Sequence, residues 1–228
     1  MRIFAHKGLW KVKQEANTLV ALEKALEADF DLETDIRIQN GNFVIKHDPP
    51  SANEVLLELK DALTILKGYG TRYMAIHCKY DDWKITSSLN KIIALLTPFT
   101  NQVFLFDVAR SYCRELKRRN KNIKIGVSVG DKKYHDRFYD LEEAIESDGV
   151  DIIWADEYRK LYSKKFIDMC HAQGKLVYCI SPDLAGAVGH PKAEDGYQET
   201  WQDLIKWGAD GICTDRPLEL RSFMKLCK

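Results

Sequence analysis

The stretch Phe30-Asp31-Leu32-Glu33-Thr34-Asp35-Ile36-Arg37-Ile38-Gln39-Asn40-Gly41-Asn42-Phe43-Val44-Ile45-Lys46-His47-Asp48 governs the reading of the whole chain. Residues 30–38 alternate as a strand. Asn40-Gly41 is a two-residue hairpin signal, and residues 43–47 follow as a returning strand. Upstream, residues 3–6 form a short apolar run ending in His6. Leu19, Leu22 and Leu26 then recur at helical spacing over residues 18–28, with Asn17 or Thr18 as the cap. Downstream the same alternation repeats. Helical patterns are expected over 54–66, 87–96, 112–119, 141–147, 166–172, 200–207 and 218–226. Strands are expected over 72–79, 103–108, 123–129, 151–155, 176–180 and 211–214.

Strand and helix in strict turn argue for a parallel sheet. Eight such units with one extra hairpin strand argue for an α/β fold, a TIM (β/α)8 barrel, as a single domain over residues 1–228. A doubly wound open sheet is the alternative. It lacks support because no Gly-rich phosphate fingerprint follows the first strand.

The chain is 45% hydrophobic and 30% charged, so it can bury a core and is not a disordered polyelectrolyte. Its formal net charge is zero, which gives no general attraction to nucleic acid or to an anionic membrane. The densest basic stretch, Arg114 to Lys124, reads as a solvated helix end where cations complement the dipole. Six cysteines lie far apart with no C-x-x-C pair, and are read as buried free thiols of a reducing compartment. The N-terminus resembles no signal peptide, and no apolar run nears the roughly 20 residues of a membrane span. A cytoplasmic protein is expected.

In a barrel, catalytic groups stand at the C-terminal ends of the strands. His6 ends the first strand, followed by Lys7 and Gly8. Glu33 and Asp35 are two apart on the second strand and so share a face. His47-Asp48 ends the hairpin strand. His77 and Lys79 share a face of the next strand, with Cys78 on the opposite one. Asp107, Asp156 and Asp183 follow later strands. Each residue alone has a plain structural reading: a core histidine, a solvated carboxylate, a helix-capping aspartate. The group is harder to dismiss. Two carboxylates on an inward face need a cation or a shared proton. Hard oxygen ligands suit Mg²⁺ or Ca²⁺, and two histidines from separate strands suit acid–base cleavage of a P–O bond. His6 and His47 are expected to face one another across one pocket. Without metal the two carboxylates are expected to be unpaired and dispensable for folding.

Ala5-His6-Lys7-Gly8, Asn17-Thr18, Glu33-Thr34-Asp35, Gly41 and Ile45-Lys46-His47-Asp48 resemble the opening signature of the glycerophosphodiester phosphodiesterases. Gly208 to Pro217 resembles the family's closing strand. The segments Phe106-Asp107, Trp154-Ala155-Asp156 and Ile180 to Leu184 look closest to a short bacterial branch often found beside surface-polysaccharide genes. The resemblance implies a phospholipase C-like TIM-barrel phosphodiesterase of lipid metabolism. His6 and His47 would be its acid–base pair, and Glu33, Asp35 and His77 its divalent-metal ligands. Lys7, Lys79, Asp107, Asp156 and Asp183 would bind substrate. The partner implied is a small phosphodiester, with no nucleic acid and no membrane span.

Two positions depart from the pattern. Lys7 stands where the family has Arg, and a point charge cannot make the bidentate phosphate fork. His77 stands where the family has a Glu ligand, which shifts preference toward Mn²⁺ or Zn²⁺. Two other readings compete: a non-catalytic phosphate-binding barrel, and an unrelated barrel isomerase or aldolase with Lys79 as a Schiff-base lysine. The long loop over residues 181–198, with Tyr197 and Trp201 near its end, is expected to choose the alcohol on the phosphate.

Overall fold

The computed structural model describes residues 1–79, 86–131, 140–184 and 190–226. Expected positions 185–189 of the long loop, and Cys227, lie outside these. Strands and helices alternate in the order β1 (Arg2–His6), α1 (Leu19–Glu27), β2 (Asp31–Gln39), β3 (Asn42–Ile45), α2 (Leu59–Leu66), β4 (Met74–Cys78), α3 (Thr86–Leu96), β5 (Val103–Phe106) and α4 (Arg110–Arg119). Then come β6 (Lys124–Gly130), α5 (Leu141–Glu146), β7 (Ile152–Asp156), α6 (Lys164–Ala172), β8 (Leu176–Ile180), α7 (Tyr197–Trp207), β9 (Gly211–Thr214) and α8 (Pro217–Leu226). This is the element order of a (β/α)8 barrel with one hairpin strand added.

The chain divides into two compact units, Met1–His6 with Gly126–Lys228, and Lys7–Ile125. In the first, β1 pairs with β9, β9 with β8, and β8 with β7, all parallel. Its strands aim large rings at one another. Phe4 lies 5.6 Å from Trp154 and 4.8 Å from Tyr178 between ring centroids, and all three are buried. In the second unit β2 is central. It pairs antiparallel with β3 and parallel with β4, and β4 pairs parallel with β5. Every residue from Asp31 to Arg37 is buried, so the alternation of β2 marks two buried faces and not a wet and a dry one.

Local chemistry sets the element ends. Thr18 caps α1, its hydroxyl accepting from the Ala21 amide at 3.2 Å, and Ser163 does the same for α6 at the Phe166 amide. Two of the boundaries that differ from the sequence expectation lie around the hairpin. The returning strand β3 stops at Ile45, not at His47, and α2 begins at Leu59, not near Glu54. The reason is shared. The segment before α2 is extended, with Glu58 bridged to Val44 and the Ile45 amide donating to Leu57 O at 2.8 Å. Those backbone groups are used in a ladder and are not available to a helix. The basic stretch is indeed a helix end: Arg118 and Arg119 both bond Glu115 at 2.6–2.7 Å, and hold its pKa at about 2.

Candidate active site

In the unit Lys7–Ile125, β2 and β4 run side by side with Asp35 opposite His77. Glu33, Asp35 and His77 each offer a ligand atom, and these atoms all lie within 4.8 Å of one another. Asp35 is the hub. Lys79 Nζ stands 2.9 Å and His77 Nδ1 3.1 Å from its Oδ1, while Lys7 Nζ lies 3.7 Å from its Oδ2. Burial opposes the charge on Asp35. The His77 hydrogen bond, then Lys79, the His77 charge and Lys7, outweigh it and hold the carboxyl well below its usual range. The carboxylates were expected to lack partners without metal; for Asp35 this is corrected. Its side chain is 2% exposed and carries two ammonium neighbours and an imidazole, so its removal strands the buried Lys79 ammonium.

Lys79 Nζ also lies 3.1 Å from His77 Nδ1. The other ring nitrogen, Nε2, is 3.2 Å from Asp107 Oδ2, and the ring stacks on Phe106 at 4.5 Å and 14°. Burial and Lys79 lower the His77 pKa, but the bonds to Asp107 and Asp35 prevail and raise it. Asp107 has φ 57°, a left-handed conformation that Asp tolerates better than most residues.

The loop from β1 to α1 delivers Lys7. Its amide donates to Glu33 O at 2.9 Å and its carbonyl accepts from Asn17 N at 2.9 Å. Gly8 makes the loop possible, since a Cβ there would lie 2.6 Å from the Ala21 carbonyl carbon. Asn17 in turn accepts from Thr34 Oγ1 at 2.8 Å. His47 follows β3 and is held through its backbone, which accepts from buried Arg37 Nε at 2.8 Å. Its Nδ1 lies 2.8 Å from Asp48 Oδ1. Burial lowers the His47 pKa more than Asp35 and Asp48 raise it.

The other unit holds a further imidazole–carboxylate pair at a strand end. His6 Nδ1, at the end of β1, lies 2.6 Å from Asp215 Oδ1 just after β9. Asp183 supports that corner. Its Oδ2 accepts from Thr214 Oγ1 at 2.7 Å and from the Asp215 amide at 3.0 Å. Burial, above all, raises the Asp183 pKa. Asp156 ends β7 and is half-buried. Trp201, near the end of the loop expected to choose the alcohol, lies within α7. It is fully buried on α7, and its indole donates to Ser181 Oγ at 2.7 Å. Tyr197 is likewise buried and donates to Glu219 at 2.9 Å.

Sequence reasoning gave no site role to Asp215 or Arg37, and gave Asn17 only as a helix cap and as part of the Asn-Thr signature. For Asp215 the signal was present in Thr214-Asp215, a carboxylate directly after the last strand.

The fold is the (β/α)8 barrel in the form found in solved glycerophosphodiester phosphodiesterases. A candidate enzyme of that name from Galdieria sulphuraria superposes with a TM-score of 0.77 at 17% identity, over 98% of this chain and 97% of that one. A glycerophosphodiester phosphodiesterase from Parabacteroides distasonis gives 0.75 at 16%, over 100% and 98%. A tryptophan synthase α-subunit from Pyrococcus furiosus, another barrel, gives only 0.55 at 11%, over 100% and 94%. No family model and no curated protein matches the sequence. Among the described residues, no helix is long and apolar enough to cross a membrane.

Proposed function

We propose that the chain is a metal-assisted phosphodiesterase acting on a small glycerophosphodiester-like substrate. The observation that carries this reading is the convergence of Glu33, Asp35 and His77 at ligand spacing, with Lys79 and Lys7 on the same carboxylate. Two carboxylate oxygens and an imidazole nitrogen fit a divalent ion, Mg²⁺ or Ca²⁺ for the oxygens and Mn²⁺ or Zn²⁺ for the mixed set. Held there, the ion would neutralise charge on the non-bridging phosphoryl oxygens. Lys7 and Lys79 add point charges to the same oxygens.

His6 and His47 are the acid–base pair. Asp215 accepts from His6 Nδ1–H, which leaves Nε2 as the working nitrogen. Asp48 does the same for His47. One imidazole takes the proton of the attacking water or substrate hydroxyl as its oxygen bonds phosphorus. The other gives a proton to the departing alkoxide as the P–O bond breaks. Asp156 remains a candidate for the alcohol groups. Asp107 and Asp183 are engaged with His77 and with the Thr214–Asp215 corner, and serve substrate through those residues. The Schiff-base reading of Lys79 is disfavoured, because its ammonium is bound to Asp35.

The test is hydrolysis of glycerophosphocholine and bis(p-nitrophenyl) phosphate after chelation and re-addition of Mg²⁺, Ca²⁺, Mn²⁺ or Zn²⁺. Turnover is expected to need a divalent ion and to fall by about 10²–10⁴-fold in His6→Ala and in His47→Ala. Turnover indifferent to chelation and to both substitutions would overturn the proposal. Tight binding of glycerol phosphate with no turnover would favour the non-catalytic binding barrel instead.

A further inference from the structure

We infer that Asp107 is a positioning residue that turns His77 into a metal ligand through Nδ1. The inference rests on the metal reading above and concerns how this chain replaces a carboxylate ligand with an imidazole. Asp107 Oδ2 lies 3.2 Å from Nε2, and an ionised carboxylate only accepts hydrogen bonds, so that contact keeps a proton on Nε2. Nδ1 lies 3.1 Å from Asp35 Oδ1, where it can share a proton with that carboxylate in metal-free protein; a divalent ion on Asp35 would take the Nδ1 lone pair in place of that proton.

Lys79 marks the spot that the lone pair addresses. Its ammonium is donor-only, and it sits 2.9 Å from Asp35 Oδ1 and 3.1 Å from His77 Nδ1. A positive group therefore already lies where a carboxylate oxygen and an imidazole nitrogen meet. A divalent ion taking those two atoms would displace the ammonium and release it toward a bound phosphate. Phe106, stacked at 4.5 Å, fixes the ring plane, so Asp107 need only choose the tautomer. With an ion held there, Asp107 and His77 would form a carboxylate–histidine–metal arrangement, in which the outer carboxylate orients the ring and raises its basicity.

The backbone of Asp107 makes the test clean. With φ at 57°, Asn and Gly are both tolerated there, whereas Ala would add strain. Mn²⁺ affinity is read from the electron paramagnetic resonance of the free ion, for wild type, Asp107→Asn, Asp107→Gly and His77→Ala. The tautomer is read from long-range ¹⁵N–¹H spectra of the His77 ring in metal-free protein. Asp107→Gly is expected to weaken Mn²⁺ binding by about 10–100-fold and to mix the two tautomers. Asp107→Asn, whose amide can accept from Nε2–H or donate to a bare Nε2, is expected to mix the tautomers as well and to weaken Mn²⁺ binding by a comparable factor. If Asp107→Gly binds Mn²⁺ like wild type while His77→Ala does not, the positioning role is overturned and the metal site stands. If His77→Ala also binds like wild type, His77 lies outside the coordination sphere and this inference fails. If wild type binds no divalent ion, the metal reading falls and this inference with it.

Discussion

His6–Asp215 and His47–Asp48 are built from the same parts in opposite ways. In both, Nδ1 meets a carboxylate oxygen, at 2.6 Å and at 2.8 Å. The first pair joins residues 209 positions apart at the ends of two adjacent strands, with side chains only 13% and 8% exposed. The second joins neighbours in sequence, with side chains 55% and 79% exposed. A carboxylate held by tertiary structure and shielded from water fixes a ring strongly. One on the next residue, in open solvent, competes with water and screening. The fold thus pre-organises one histidine, while the other relies on its backbone anchor to Arg37.

The largest expected effect follows from that contrast. Asp215→Asn should lower kcat for phosphodiester hydrolysis by about 10²–10⁴-fold, because an amide can select the wrong imidazole tautomer, as in the Ser-His-Asp triad. Asp48→Asn should cost less than about fivefold, since water substitutes for an exposed acceptor. Equal losses would mean that burial does not distinguish the two pairs.

A smaller effect sharpens the comparison from the side of stability. Asp183→Ala leaves the Thr214 hydroxyl and the Asp215 amide without their buried acceptor, at about 1–3 kcal/mol. The urea midpoint should fall accordingly and kcat should drop with it, because Asp215 loses its anchor. A lowered midpoint with kcat unchanged would show that Asp183 supports the fold but not His6.

What was legible in the sequence divides along the same line. Placing His77 toward Glu33 and Asp35 required only the period of a strand and the adjacency of consecutive parallel strands, and the register sets Asp35 against His77. The barrel class required only strict alternation. Of the partners of Asp35, Lys79 shares the face of His77 and was legible with it, whereas Lys7 was not. Lys7 arrives through a loop that needs Gly8 pressed against Ala21. Nor was the start of α2 legible. Residues 54–58 carry a helical pattern of charge and leucine, yet Val44 and Ile45 recruit that segment as an extended partner. Asp215 was visible as a residue but not as a partner, since only the pairing of β1 with β9 brings it to His6.

The smallest expected effect is the pH dependence of the exposed pair. The Asp48 pKa is lowered, first by its hydrogen bond to His47 and then by the charge on that ring. A carboxyl with a depressed folded-state pKa contributes stability above its unfolded value. That contribution is lost as pH falls from the ordinary carboxylate range near 4 through the lower folded value. With the carboxylate 79% exposed, screening limits the contribution to less than about 0.5 kcal/mol. Wild type and Asp48→Asn should therefore show urea midpoints that differ slightly at pH 7 and converge toward pH 3. Added salt should narrow the gap most at pH values below the lowered His47 pKa, where the ring is charged. A gap that is large, or that persists in high salt, would show that Asp48 is held as firmly as Asp215, and the contrast between the two pairs would fail.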